Sequence, residues 1–200
     1  MYAYCNNNPS NFSDSAGTRP VSELERHEEI SLPVPERKRY EKKIQYDVPV
    51  YDQGTYLLCW AFCMVMMHAY KTGQDLSQTQ ATKKAIAYAK LYNGANDWNK
   101  ANSPKDAGAY VSVDSINDLY NLLEKSGPLY AHYDGKDGNG KKSGHGVIVT
   151  GANVTTNTVY TNNPWGKPGE QTFDDFLKGF YWDKPYPGEY ELGGVAPANW

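Results

Sequence analysis

The chain predicts an α+β domain, with helices first and an antiparallel sheet second. Three features carry that expectation. An apolar stretch from Leu57 to Tyr70 runs to Gly73 without a charged residue before Lys71, which suits a buried helix. Two more helical segments follow it. Past Gly127-Pro128 the pattern changes to β-type runs separated by glycine-rich and Asn/Pro turns.

The elements follow in chain order. Residues 1–45 differ from the rest: an Asn-rich start, then a charged run from Glu23 to Lys43 broken by Pro33 and Pro35. Too little of this segment is apolar to bury, so it reads as a polar leader or linker: extended, disordered, or pro-segment-like. Glu23 to Ile30 is long enough for one short helix. The folded domain is expected over 46–200, opening at Tyr46-Asp47-Val48-Pro49-Val50 and the loop Asp52-Gln53-Gly54-Thr55. After the first helix, Ser77-Gln78-Thr79-Gln80 reads as a capping box for a helix over Ala81 to Tyr92. Gly94 to Ala109 is a polar loop. A third helix runs from about Val113 to Lys125, stopped by Gly127-Pro128. Strands are expected at Leu129–Tyr133, His145–Gly151 and Thr158–Thr161, with Asp134–Gly144 as a long hairpin loop and Asn162–Gly169 as a second loop. Thr172-Phe173-Asp174-Asp175 caps a last short helix. No internal repeat is present.

Composition narrows the function classes. The 200 residues carry a formal net charge of -3, and no long Lys/Arg run occurs, which argues against nucleic acid and anionic membrane as partners. Mean hydropathy is -0.72, and no apolar run approaches the roughly 18 residues of a membrane span. No secretory signal pattern opens the sequence. Three cysteines, Cys5, Cys59 and Cys63, are too few and too odd for a disulfide framework, so reduced thiols in a cytoplasmic setting are expected, in the producer or in a cell that receives the protein. No zinc-type Cys/His spacing, phosphate-binding glycine loop or paired carboxylate set is found, so no metal or cofactor is expected. A monomer acting on a protein or peptide is the simplest expectation.

Four residue types in one order supply the parts of a thiol hydrolase. Cys59 falls where a loop turns into an apolar helix, and a helix N-terminus offers free N–H groups and about half a positive charge. Such a field, with a His⁺ partner, is expected to lower the thiol pKa. At pH 7 an ordinary thiol is about 3% ionised, so full ionisation gains about 2 kcal/mol; one oxyanion donor contributes about 3 kcal/mol. Gln53, six residues earlier, can aim its side-chain amide at the place the Cys59 N–H points to. His145, at the head of an apolar strand between Gly144 and Gly146, can act as acid and base. Asn163, on the loop after the next strand, can orient the imidazole, with Asn162 as a rival for that role and Trp165 as a shield from water. His132 rivals His145, but a mid-strand position suits a core or surface histidine better. His27 lies in the polar leader, and His68 at the far end of the first helix. Cys63, Met64, Met66 and Met67 read as core.

Together Gln53, Cys59-Trp60-Ala61-Phe62, Gly144-His145-Gly146 and Asn163-Pro164-Trp165-Gly166 resemble the active-site motifs of papain-like cysteine peptidases over about residues 46–185. The resemblance implies Gln53 as oxyanion donor, Cys59 as nucleophile, His145 as acid/base and Asn163 as orienter. It further implies a helical lobe carrying the nucleophile and a β-sheet lobe carrying the base. Tyr56-Leu57-Leu58 stands where plant and lysosomal enzymes have Cys-Gly-Ser, so their disulfide is absent. His145 and Asn163 follow Cys59 by 86 and 104 residues, against about 130–150 in papain and cathepsins. The second lobe is therefore compact, similar to bacteriocin-processing peptidase domains and to papain-like effector or toxin peptidases of bacteria. A deamidase, amidase or acyl or glutamyl transferase needs the same acyl-enzyme chemistry, and a binding module could retain a relic of it. Ammonia release without cleavage separates the former from a peptidase. An unchanged phenotype on Cys59→Ala identifies the latter.

Overall fold

The computed structural model describes residues 41–93, 110–137, 139–181, 184–185 and 188–197. The expected helix at Glu23–Ile30 and the polar loop Gly94–Ala109 lie outside them. The described elements are β1 (Lys43–Gln45), α1 (Cys59–Thr72), α2 (Gln78–Asn93), α3 (Ile116–Ser126), β2 (Leu129–Asp137), β3 (Lys142–Asn153), β4 (Thr158–Asn163), β5 (Lys167–Thr172), α4 (Phe173–Leu177), β6 (Phe180–Tyr181), β7 (Lys184–Pro185) and β8 (Gly188–Pro197). The α+β class expected from the sequence is the class observed.

Six strands form one antiparallel sheet in the order β5-β4-β3-β2-β8, with β1 also on β3. β3 organises it. Lys142–Val149 pair with β2, and Gly151–Asn153 pair with β1, so β1 and β2 lie end to end along one edge of β3. β4 takes the other edge, with Ile148 opposite Asn162. The sheet thus takes in Lys43–Gln45, ahead of Tyr46, where the sequence suggested the fold begins.

Alternation along the strands assigns the two faces. Tyr130 and Ile148 pack with α1 and α2. Leu129, Ala131, Tyr133, Val147 and Val149 pack on the opposite face with α3 residues Leu119 and Leu123 and α4 residues Phe173 and Phe176. Helix α1 is buried on nearly every side, with Trp60 through Met67 all inside. At about 1.5–3 kcal/mol per large apolar side chain, this segment is a main contributor to the core. Helix α2 meets it through Ala81, Ala85 and Ala89, a stripe of small side chains at four-residue spacing that permits close approach.

Helix ends obey local chemistry. Gly73 ends α1 with φ 64°, and its N–H donates to the carbonyls of Ala69 and Tyr70. Ser77 and Gln80 form the reciprocal capping box, with Ser77 N–H donating to Gln80 Oε1 at 2.8 Å. Thr172 caps α4 by accepting from Asp175 N–H. Helix α3 starts later than expected. Ser115 is its N-cap and accepts from Asp118 N–H at 3.2 Å, so Val113 is buried ahead of the helix.

Two expected loops are largely strand. Asp134–Lys136 pair with Gly144–Lys142 on one side and with Glu191–Glu189 of β8 on the other. Asn162 and Asn163 finish β4, and Lys167–Gly169 open β5, leaving a turn at 164–166 with Gly166 at φ 77°. Glycine and charged residues have low strand propensity, but a neighbour supplying a full hydrogen-bond ladder outweighs it.

Candidate active site

Cys59 is the first residue of α1 and is partly exposed between the buried Leu58 and Trp60. The residue in the N-cap position is Leu58, which offers no side-chain hydrogen bond, and the first turn holds no acidic residue. The N–H groups at this helix start are therefore not taken up by a capping side chain and are free to act on the Cys59 thiol. Burial pushes the Cys59 thiol up from its ordinary value, and the backbone N–H groups of Gly146, Trp60 and Cys59 itself pull the other way. The expectation of a depressed thiol is thus not met by this structure. The helix end does supply stabilising donors, but loss of water outweighs them. The involvement of the Gly146 N–H puts α1 against the β3 residue that follows His145.

His145 is 3% exposed. Its Nε2–H donates to Asn163 Oδ1 at 3.2 Å. The same oxygen accepts the Trp165 N–H at 3.1 Å, and two donors on one atom fix it as the amide's oxygen. The Trp165 indole lies over the imidazole, ring centres 4.9 Å apart and planes 31° from parallel. Burial lowers the His145 pKa from 6.5 to about 4; the Asn163 hydrogen bond raises it and the nearby His132 lowers it further. The strand register explains the meeting. Ile148 sits opposite Asn162, so one further step sets Asn163 opposite Val147, two residues from His145 on the same face. Asn162 is engaged elsewhere, its Nδ2 donating to the Val48 carbonyl at 2.6 Å. Of the two neighbours, the imidazole's partner is Asn163.

Gln53 is 8% exposed and is fastened to the same turn. Its N–H donates to the Pro164 carbonyl at 2.6 Å, and Asp52 forms an isolated β-bridge with Trp165. Helix α2 holds the loop from behind, where Gln78 accepts from Asp52 N–H and donates to its carbonyl. A side chain at Gly166 would run into Asp52, with a Cβ 2.9 Å from the Asp52 Cβ, so the close passage of the two loops needs glycine there. One hydrogen of Gln53 Nε2 donates to the Tyr56 carbonyl at 2.8 Å; the amide carries a second. Gln53 Oε1 and Asn163 Nδ2 are buried with no hydrogen-bond partner among the described residues.

The remaining candidates sort by position. His68 sits in the last turn of α1, away from its N-terminus, and His27 lies outside the described residues. Cys63 is fully buried one turn behind Cys59, and burial pushes its thiol well up. His132 stands closer to the site than a mid-strand histidine would suggest, because β2 places it opposite Gly146. Sequence reasoning missed Tyr130. A Cβ on Gly146 would lie 2.6 Å from both the ring edge and the hydroxyl of Tyr130, so the Gly146 peptide can rest where it does only because residue 146 is glycine. The Gly-His-Gly pattern was the available signal; the partner that fills the space was not visible.

A family model described as papain-like cysteine protease AvrRpt2 matches residues 42–180. No curated protein matches the chain.

Proposed function

The chain belongs to the papain-like cysteine proteases, since that family's model spans well over half of it, and on that premise we propose that Cys59, His145, Asn163 and Gln53 carry out endoproteolysis. The hydrogen bond from His145 to Asn163, beneath Trp165 and one residue from the N–H that acts on Cys59, is the observation that supports this assignment most.

The steps run as follows. With Nε2–H held by Asn163, Nδ1 is the imidazole nitrogen that takes the thiol proton. The Cys59 sulfur adds to the peptide carbonyl carbon. The oxygen that gains the electron pair is met by the Cys59 N–H and by the second hydrogen of Gln53 Nε2, donors set in place before substrate arrives. His145 returns its proton to the leaving amine, and the C–N bond breaks to leave a thioester. Water, deprotonated by His145, then releases the acid and restores the thiol. Because burial disfavours both charged forms, the resting pair is thiol and neutral imidazole, and the proton moves as substrate is attacked.

The residues that precede β1 act as a leader to the catalytic domain, and the protein works in cytoplasm as an effector- or toxin-type peptidase. A fluorescent epoxysuccinyl probe, followed by proteome-wide mapping of new protein N-termini, tests the proposal. Labelling confined to Cys59, and new N-termini absent with Cys59→Ala, are expected. Equal labelling and cleavage by the Cys59→Ala protein would overturn it.

A further inference from the structure

Beside the catalytic residues, the middle of the sheet carries a second polar group set in a clearing. Tyr130, His132 and Asp134 follow one another on one face of β2. Tyr130 is packed under Gly146. The next two side chains stand among glycines on both flanking strands. A Cβ on Gly144 of β3 would lie 3.4 Å from His132 Nε2, and one on Gly193 of β8 would lie 3.4 Å from Asp134 Oδ2. β3 therefore sends no side chain over this spot, while on β8 Glu191 stands opposite Asp134 and brings a second carboxylate to that edge; the Asp134 side chain keeps 59% of its exposure. Tyr110 closes the far side. It rests on Gly194, whose Cβ would be 2.9 Å from its own, and its ring centre is 5.8 Å from that of His132. His132 Nδ1 lies 3.7 Å from Asp134 Oδ2.

The clearing adjoins the nucleophile, because Gly146 both pairs with His132 across the ladder and directs its N–H to Cys59. A peptide lying extended over Gly144 and Gly146 would bring one side chain down beside Tyr110 and Asp134. A partly exposed aromatic ring next to an exposed carboxylate attracts a compact or planar cation and repels an anion. We propose that Tyr110, His132 and Asp134 form a specificity shelf that selects a lysine or arginine side chain close to the cleaved bond. This rests on Cys59 being the nucleophile, and it names the class of substrate the peptidase takes.

The test is a positional-scanning library of fluorogenic peptides cut by the full-length protein. At one position, lysine and arginine peptides are cleaved about five- to tenfold faster than glutamine peptides and faster still than glutamate peptides, the size expected of an exposed ion pair aided by an aromatic face. Asp134→Asn brings the Lys:Gln ratio to within twofold of one, and Asp134→Lys inverts the Lys:Glu order. Ratios within one variant are independent of how much of it is folded. Wild-type rates that ignore charge at every position, or an Asp134→Asn ratio that stays high, overturn the shelf while leaving the peptidase intact. Should no peptide be cut, the assigned mechanism fails, and the shelf is judged by fluorescence anisotropy of Lys and Glu peptides on the Cys59→Ala protein. Tighter Lys binding, lost on Asp134→Asn, upholds it; equal or undetectable binding overturns it.

Discussion

Cys59 and His145 are held in opposite ways. Cys59 as a residue is partly exposed, at the start of a helix whose body is buried, and its N-cap residue Leu58 makes no side-chain cap. The imidazole is sealed within the sheet under Trp165, with one nitrogen committed to Asn163. A nucleophile must reach an incoming carbonyl, so its rigidity has to come from behind, through the packing of α1. A base must keep its tautomer and its neutrality, so it is fixed by hydrogen bonds and shielded from water. The same loss of water that holds His145 neutral also raises the Cys59 thiol, and for that reason charge separation waits for substrate.

The largest break in this comparison comes from Cys59→Ala. Turnover should fall by more than about 10³-fold, while the thermal midpoint moves only a few degrees, because the substitution removes a single atom from a residue at the edge of the core. Activity above half of wild type would refute the mechanism. Gln53→Ala should follow, with kcat down about 10²–10³-fold and KM little changed, measured on any peptide the wild type cuts. Asn163→Ala should cost less than His145→Ala, because it loosens the imidazole without removing it.

The two smallest effects sharpen the comparison. His145 is protonated only near pH 4, so the acid limb of kcat/KM should lie about there. Trp165→Ala lets water reach the ring and should move that limb upward toward 6.5; an unmoved limb would mean that Trp165 is not the shield. Folding stability should respond in the same window. An unfolded chain takes up the proton near 6.5 and the folded one near 4, so stability from this group is complete above 6.5 and is lost as pH falls to about 4. The loss is on the order of 3 kcal/mol for a 2.5-unit difference. Chemical denaturation across that range should show it, and His145→Gln should flatten the dependence.

Much of the site was legible in the sequence because its parts announce themselves locally. Cys59 at the head of an apolar helix, a glycine on each side of His145, and Asn163 before Pro164 are patterns of adjacent residues. What escaped was what depends on distant partners. The choice of Asn163 over Asn162 turned on the Val48 carbonyl, 114 residues from Asn162. The length of the β2–β3 hairpin turned on β8, whose Gly193 and Gly194 do not look like strand.

The sequence by itself determined the α+β class, the helix stops at Gly73 and Gly127, the caps at Ser77 and Thr172 and the set of candidate reactive residues, since each follows from short-range backbone chemistry and residue type. Only the tertiary structure decided which strands extend, which asparagine meets the imidazole, which way the thiol pKa moves and what surrounds His132. Those depend on desolvation and on hydrogen bonds between segments far apart in the chain, and neither is encoded in the spacing of neighbouring residues.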